Sequence, residues 1–226
     1  YAARPEIKEM ARPASEELLR TLSDEAQKND AALLIGMAER TDKSAVCASH
    51  LVFTPDGYQG VYRKIHTAPF EQAHFTAGNQ IPLFEFSGLK FGIQLCYDAH
   101  FPEISQAMAL AGADVIFIPH ASPRGTPLDK YESWLRHLRA RAFDNGVYIA
   151  ACNQVGENLK NLSFPGVSLL IGPDGNVIDK ILSDEPCLLS VSIDKAVIEE
   201  IRSHRMRYFL PNRRADLFGP CPVPDV

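Results

Sequence analysis

The chain has 226 residues, 46% of them hydrophobic, and a formal net charge of −5. An acidic balance offers no basic surface to phosphate backbones, and the apolar runs are strand-length, well short of the ~20 residues a membrane span needs, so neither nucleic acid nor a bilayer is expected as a partner. The size suits one large α/β domain, and a single domain over 1–226 is expected, with an irregular Pro-rich tail over 208–226. The five cysteines, Cys47, Cys96, Cys152, Cys187 and Cys221, are widely spaced, with no CxxC pair and no His/Cys ligand spacing. They indicate neither a disulfide framework nor a structural metal site, and a reducing, cytoplasmic setting fits them. No charged segment followed by an apolar stretch opens the chain at Tyr1, so no signal peptide is expected.

In chain order, Ser15 is placed to cap a helix whose apolar positions Leu18, Leu19, Leu22 and Ala26 recur at helical spacing, with Glu16 and Glu17 in the first turn. "AALLIGMAE" (31–39) and "VCASHLVFT" (46–54) are short apolar runs bounded by turn residues and predict buried strands. "PDG" (55–57) then turns the chain into "YQGVYRK" as a hairpin. "LKFGIQLCY" (89–97) predicts a central strand. Pro102 sits where a first helical residue belongs, ahead of "EISQAMALA", and Gly112 ends that helix. "DVIFIPH" predicts a strand, "YESWLRHLRARAFDNG" a helix stopped by Asn145 and Gly146, and "VYIAACNQV" a further strand. "VSLLIGPDGNVIDKIL" repeats the hairpin chemistry, and "CLLSVSID" (187–194) predicts a last strand. Hairpins mixed with strand-helix-strand units predict mixed sheets covered by helices in a layered α/β fold.

Cys96 raises the chemical question. At the carboxyl end of a strand, followed by an exposed turn and a helix, a thiol is well placed to act as a nucleophile. Free cysteines are more commonly inert packing, and an ordinary thiol with a pKa of ~8.5 needs a nearby base or cation to become a thiolate. Lys64 closes one predicted strand and Glu71 follows on the next loop; each alone is an ordinary surface charge. Asp98 and His100 suit turn or capping roles, Glu103 suits a helix first turn, and Trp134 falls at core or interface spacing. Arg124 on a loop after His120 can clamp a carboxylate. Cys47, Cys152 and Cys187 read as packing.

Four segments in this order, "YRKIHTAPFEQAHFTAG", "GIQLCYDAHFPEI", "RARAFDNGVYIAACNQVG" and "RYFLPNRRADLF", resemble the successive signatures of the nitrilase superfamily, the carbon-nitrogen hydrolases. The resemblance runs over essentially the whole chain. It implies a four-layer αββα sandwich and a catalytic set of glutamate, lysine and cysteine that uses no cofactor or metal. Carried over by motif, Cys96 matches the nucleophile and Lys64 the lysine that steadies the oxyanion. Glu71 matches a second glutamate that orients the lysine and substrate, and the N–H of Tyr97 matches the other oxyanion donor. His120 and Arg124 fall beside the implied substrate site, and Arg141, Asp144 and Asn145 match supporting residues. The family's general-base glutamate precedes a segment like "YAARPE", which places the base and its strand upstream of Tyr1; Glu6, which no apolar strand precedes, does not fill that place.

The activity implied is hydrolysis of a linear amide or N-carbamoyl C–N bond, with ammonia released from a small-molecule substrate. "CYD" resembles the amidase branches more than the true nitrilases, so amide ranks ahead of nitrile. A protein that keeps the fold and binds without turnover is the alternative that an absent base implies, and a redox-sensing thiol is a third reading, disfavoured because no resolving cysteine lies near Cys96 in sequence. The resemblance also implies a homodimer or larger homo-oligomer.

Overall fold

The computed structural model describes residues 6–41, 45–158 and 162–218, and these fall into two compact units divided after Gly88. In the first unit, α1 (Ile7–Met10) and α2 (Glu16–Lys28) precede β1 (Leu33–Arg40), β2 (Val46–Thr54), β3 (Gly57–Arg63) and the short β4 (Phe84–Phe86). The helix α2 starts where expected: the Ser15 hydroxyl accepts the Leu18 N–H at 3.3 Å, satisfying one of the orphan donors of a helix start. Its apolar stripe of Leu18, Leu19, Leu22 and Ala26 packs on Leu51, Phe53 and Val61 of the sheet. The antiparallel order β1-β2-β3 follows from two hairpins, with Leu33 opposite Phe53 and Ser49 opposite Arg63.

Inside this sheet Gly36 lies opposite His50, and a Cβ at position 36 would come within 2.6 Å of the imidazole. The glycine makes room for a buried ring.

The second unit begins with β5 (Leu89–Ile93), a 3-10 turn at Cys96–His100 and α3 (Pro102–Leu110). It continues through β6 (Val115–His120), α4 (Pro127–Asn145), β7 (Tyr148–Asn153), the short pair β8 (Gly156–Glu157) and β9 (Ser163–Phe164), β10 (Gly166–Ile171), β11 (Val177–Ser183) and α5 (Lys195–Ser203). Strands β5, β6 and β7 are parallel neighbours joined by helical crossovers, and β10 and β11 extend the sheet antiparallel from β7. The expected mixed sheet is therefore present. Its core is built from fully buried Ile93, Ile116, Ile118 and Ile149 under Met108 and Leu138 of the crossover helices.

Of the three cysteines expected as packing, Cys152 and Cys187 are exposed and only Cys47 is buried, and three expectations about the elements also need correction. The strand predicted over 89–97 stops at Ile93, and Cys96 stands in the 3-10 turn beyond it. Residues 187–194 form no strand: no neighbouring strand edge takes up their backbone, Leu188 is 87% exposed, and Asp194 instead caps α5 by accepting the Ala196 N–H at 2.9 Å. The helix expected from Tyr131 starts at Pro127, because Thr126 and Asp129 form a capping box around that proline. Within 208–226 the chain forms a 3-10 turn at Leu210–Asn212 and α6 (Ala215–Phe218), and Cys221 lies outside the described residues. Among the described residues no helix is long and apolar enough to cross a membrane.

Burial pushes the His50 imidazole down to about 4, against a small opposing pull from the Ser49 backbone. The unfolded chain takes up this proton near 6.5 and the folded chain only near 4, so stability falls as pH drops through that window and loses nothing more below it. Replacing His50 with Leu is expected to reduce the loss between pH 7 and pH 4.5 by on the order of 2 to 3 kcal/mol, read from urea midpoints at the two pH values.

Candidate active site

In the first unit the site begins where β3 ends. Side chains alternate across a strand, so Arg63 and Lys64 take opposite faces. Arg63 meets Glu39 through two parallel bonds, Nε to Oε2 at 2.6 Å and Nη2 to Oε1 at 2.7 Å, and Ser49 Oγ donates to the same carboxylate at 2.7 Å. Burial alone would push the Glu39 carboxyl up, but these bonds from Arg63 and Ser49 hold it below its ordinary value. The pair fixes the end of β3, and the Lys64 N–H extends the ladder to the Ala48 carbonyl at 2.9 Å.

The Lys64 side chain is 4% exposed and its Nζ lies 2.6 Å from Glu71 Oε2, itself 1% exposed. Glu71 is held in turn, since the same oxygen accepts the Ala68 N–H at 2.7 Å. The loop that carries it closes at Gly78, whose N–H donates to the Lys64 carbonyl at 2.8 Å. A Cβ there would lie 2.3 Å from the Arg63 carbonyl oxygen, so only glycine permits this closure. The structure thus brings Lys64 and Glu71 together as a buried ion pair.

In the second unit Cys96 opens the turn after β5 with φ +49°, the left-handed region, which costs a non-glycine residue roughly 1–2 kcal/mol. The turn is tied down on several sides. The Leu95 N–H donates to Asp98 Oδ2 at 3.0 Å and the Asp98 N–H to the Leu95 carbonyl at 3.2 Å, giving the buried Asp98 the capping role expected of it. Arg141 on α4 reaches the Ala99 carbonyl through Nε at 3.1 Å and the His100 carbonyl through Nη2 at 3.2 Å. Asn145 backs the arginine by donating to its carbonyl at 2.9 Å. Gln94, fully buried, donates to Ser105 Oγ at 2.8 Å and ties the turn to α3. Cys96 itself is half-buried, and the N–H of Tyr97 precedes the first hydrogen bond of the turn, among the donors a helix start leaves open. The Tyr97 ring packs against His100 and Phe101.

His120 ends β6, the strand beside β5. It is 8% exposed, its ring stacked on Trp134 at 3.8 Å between centroids and its Nδ1 2.8 Å from the Ile118 carbonyl. Trp134 is therefore a core residue of this unit. Arg124 stands exposed in the following loop with φ +70°, its N–H bonded to the Ser163 carbonyl at 2.9 Å.

One charged residue near the thiol was not singled out in the sequence. Lys130, on the first turns of α4, donates from Nζ to Ser122 Oγ at 2.9 Å and to the Pro123 carbonyl at 3.1 Å. Burial pushes its ammonium down, while Cys96 and Asp129 pull it up, so the sulfur and this cation feel each other's charge. No local sequence signal set it apart, since a lysine in the first turns of a helix is ordinarily a solvated charge.

The sequence profile described as "Carbon-nitrogen hydrolase" matches residues 1–203. The chain belongs to the carbon-nitrogen hydrolase family. A probable nitrilase of Schizosaccharomyces pombe is 33% identical over 202 residues, covering 88% of this chain and 72% of that protein. The crystal structure of a carbon-nitrogen hydrolase from Helicobacter pylori G27 matches with a TM-score of 0.86 at 29% identity, over 96% of this chain and 79% of that one. A variant of the amidase from Nesterenkonia sp. AN1, showing covalent addition of the acetamide moiety of fluoroacetamide at its active-site cysteine, matches with a TM-score of 0.79 at 25% identity, over 96% and 78% of the two chains. The carbon-nitrogen hydrolase described here therefore has the nitrilase-type α/β fold and includes amidases among its relatives.

Two stability effects follow from this geometry. Glu71→Ala strands a buried ammonium and is expected to cost about 3–5 kcal/mol, whereas the double change Lys64→Met, Glu71→Leu recovers most of that loss; urea unfolding of the three proteins checks it. At position 96 the usual helix-and-strand ranking inverts: Cys96→Gly is expected to be about 1 kcal/mol more stable than Cys96→Ala, because glycine relieves the left-handed backbone.

Proposed function

We propose that this carbon-nitrogen hydrolase cleaves a linear amide or N-carbamoyl C–N bond through a thioester on Cys96, releasing ammonia. The observation that supports it most is the thiol held at the carboxyl end of a parallel strand, on a left-handed residue, by bonds from Asp98 and Arg141 to the turn around it. A strained backbone kept in place by that many ties is a mark of a functional position. The covalent adduct at the active-site cysteine of the Nesterenkonia amidase supports the same role for the matching residue here.

In the first step the Cys96 thiolate attacks the amide carbon, a C–S bond forms, and the π electrons of the carbonyl move to oxygen. Lys64, paired with Glu71, and the N–H of Tyr97 are the donors proposed for that oxyanion, each worth about 3 to 4 kcal/mol when preorganised. Collapse of the tetrahedral species breaks the C–N bond, and the departing nitrogen takes a proton. Water then adds to the thioester, gives its proton to a base, and expels the thiolate with the carboxylic acid. The resemblance assigns the acid-base work to a glutamate upstream of Tyr1, a role that typically contributes ~10² to 10⁴ in rate. His120, at the end of β6, and Arg124, in the next loop, are proposed to border the substrate. Among the described residues Cys47, Cys96, Cys152 and Cys187 form no disulfide, which suits a reducing compartment, and we place the enzyme in the cytoplasm as a homo-oligomer.

Incubating the full-length protein with butyramide and with N-carbamoyl amino acids is expected to release ammonia, and Cys96→Ala is expected to lose the activity by roughly 10³-fold or more. Equal ammonia release from both proteins would end the proposal.

A further inference from the structure

Lys130 differs from Arg202 and Arg141 of the second unit in what surrounds it. Arg202 meets Asp114 at 3.0 Å, and Arg141 has Asp144 and Glu103 as charged neighbours. The Lys130 ammonium is half-buried and holds only neutral acceptors, the Ser122 hydroxyl and the Pro123 carbonyl. Among the described residues no carboxylate lies within ion-pair distance of it. The adjacent Asp129 acts at longer range, since its Oδ2 is engaged by the Thr126 N–H at 2.9 Å and the Thr126 hydroxyl at 2.8 Å. An ammonium has three N–H donors, and two are used.

The place of this cation is fixed by the fold. Strands β5 and β6 are adjacent and parallel, with Ile93 opposite Phe117, so their carboxyl ends open on the same edge of the sheet. Cys96 follows the first and the 120–126 loop the second. Asn153, at the carboxyl end of β7, clamps that loop by accepting the Ser122 N–H at 2.9 Å and donating to the Ser122 carbonyl at 3.0 Å. Lys130 reaches back from α4 to the same serine. A rigid, partly desolvated cation thus stands on the edge where α/β sheets bind ligands, close enough to Cys96 for their charges to interact.

We infer that Lys130 is a specificity-determining residue that receives an anionic group of the substrate, so that the preferred amides carry a carboxylate on the acyl side, as the monoamides of short dicarboxylic acids do. This rests on the amide-hydrolysis reading above. A carboxylate would complete the unused donor of Lys130 and supply the missing counter-charge, while the amide carbon at the other end of the chain faces the sulfur. The loop hydroxyl and carbonyl hold the ammonium in place so that little side-chain entropy is lost on binding.

The test compares full-length wild-type enzyme with Lys130→Met and Lys130→Arg on succinamate and glutaramate against their uncharged counterparts butyramide and valeramide. The wild type is expected to prefer the anionic member of each pair. Lys130→Met is expected to lower the anionic-to-neutral ratio of kcat/KM by about 10- to 100-fold, mainly through KM, as loss of a charge-assisted bond does, and Lys130→Arg to restore part of it. A second readout needs no turnover: the rate of Cys96 alkylation by iodoacetate relative to iodoacetamide is expected to fall in Lys130→Met. A parallel fall on both amides with an unchanged alkylation ratio would overturn the inference, since it would make Lys130 a purely structural tie or an activator of the thiol. A wild type with no preference for the anionic amides would overturn it too. Failure of the hydrolysis reading shows separately, as ammonia release that survives Cys96→Ala.

Discussion

A lysine ammonium that is 4% exposed must have a counter-charge at hydrogen-bond distance, and this requirement organises the end of the first unit. Glu71 supplies it at 2.6 Å, and the carboxylate is anchored by the Ala68 N–H rather than by water. The loop between them closes because Gly78 tolerates the Arg63 carbonyl where any other residue would place a Cβ. One residue upstream, the Glu39–Arg63 pair fixes the strand end from the opposite face. Buried pairs of this kind add little net stability compared with apolar replacements, because desolvation offsets most of the attraction. What the arrangement secures is a fixed positive charge, as the proposed role of Lys64 toward a developing oxyanion would require.

The second unit answers a different constraint. The chain leaves the sheet after β5 through a left-handed residue at Cys96, a strained conformation of the kind that the proposed nucleophile role would explain. The cost of that backbone at Cys96 is offset by neighbours that hold the turn. Asp98 engages the Leu95 N–H, Arg141 takes the two carbonyls that the turn leaves open, and Asn145 holds the arginine's own carbonyl. The helix end at Asn145 and Gly146, φ +60°, therefore serves the thiol as well as stopping α4. Positioning residues sit about 40 residues along the chain from the turn they hold.

Much of this was legible in the sequence. The strand 46–54 and the "PDG" turn after it, Pro102 at a helix start, and Asn145-Gly146 at a helix stop were all readable, because each depends on a local backbone preference. Misreadings arose where a tertiary partner decides. "LKFGIQLCY" is apolar throughout, and nothing local says that pairing ends at Ile93, since that depends on the left-handed turn that follows. "CLLSVSID" has the composition of a strand but no sheet edge to join, and its Asp194 is spent on capping α5. Lys64, Glu71 and Cys96 stood out only as a set matched to a family, for each alone looks like surface charge or packing. Lys130 carried no signal, because a lysine in the first turns of an amphipathic helix is ordinarily solvated and only the fold of the 120–126 loop makes it otherwise.

On the proposed reading, the buried Lys64 and the half-buried Lys130 would separate two tasks that a single cation performs poorly. Lys64 is paired with a carboxylate of its own chain, so in the proposed role it would offer a substrate hydrogen bonds and a local dipole more than an unpaired charge. Lys130 is bound by a hydroxyl and a carbonyl, which fix its position without cancelling its charge. A paired ammonium suits an oxyanion that exists only briefly, since it need not be desolvated again at each turnover. An unpaired one suits a permanent anion that must be recognised before the chemistry starts, because its attraction acts over a longer range and is realised already in the ground state. On that division, binding energy from a remote carboxylate would orient the acyl chain while the charge of Lys64 is kept for the transition state, and the difference between the two lysines lies in the neighbours that hold them rather than in the residue itself.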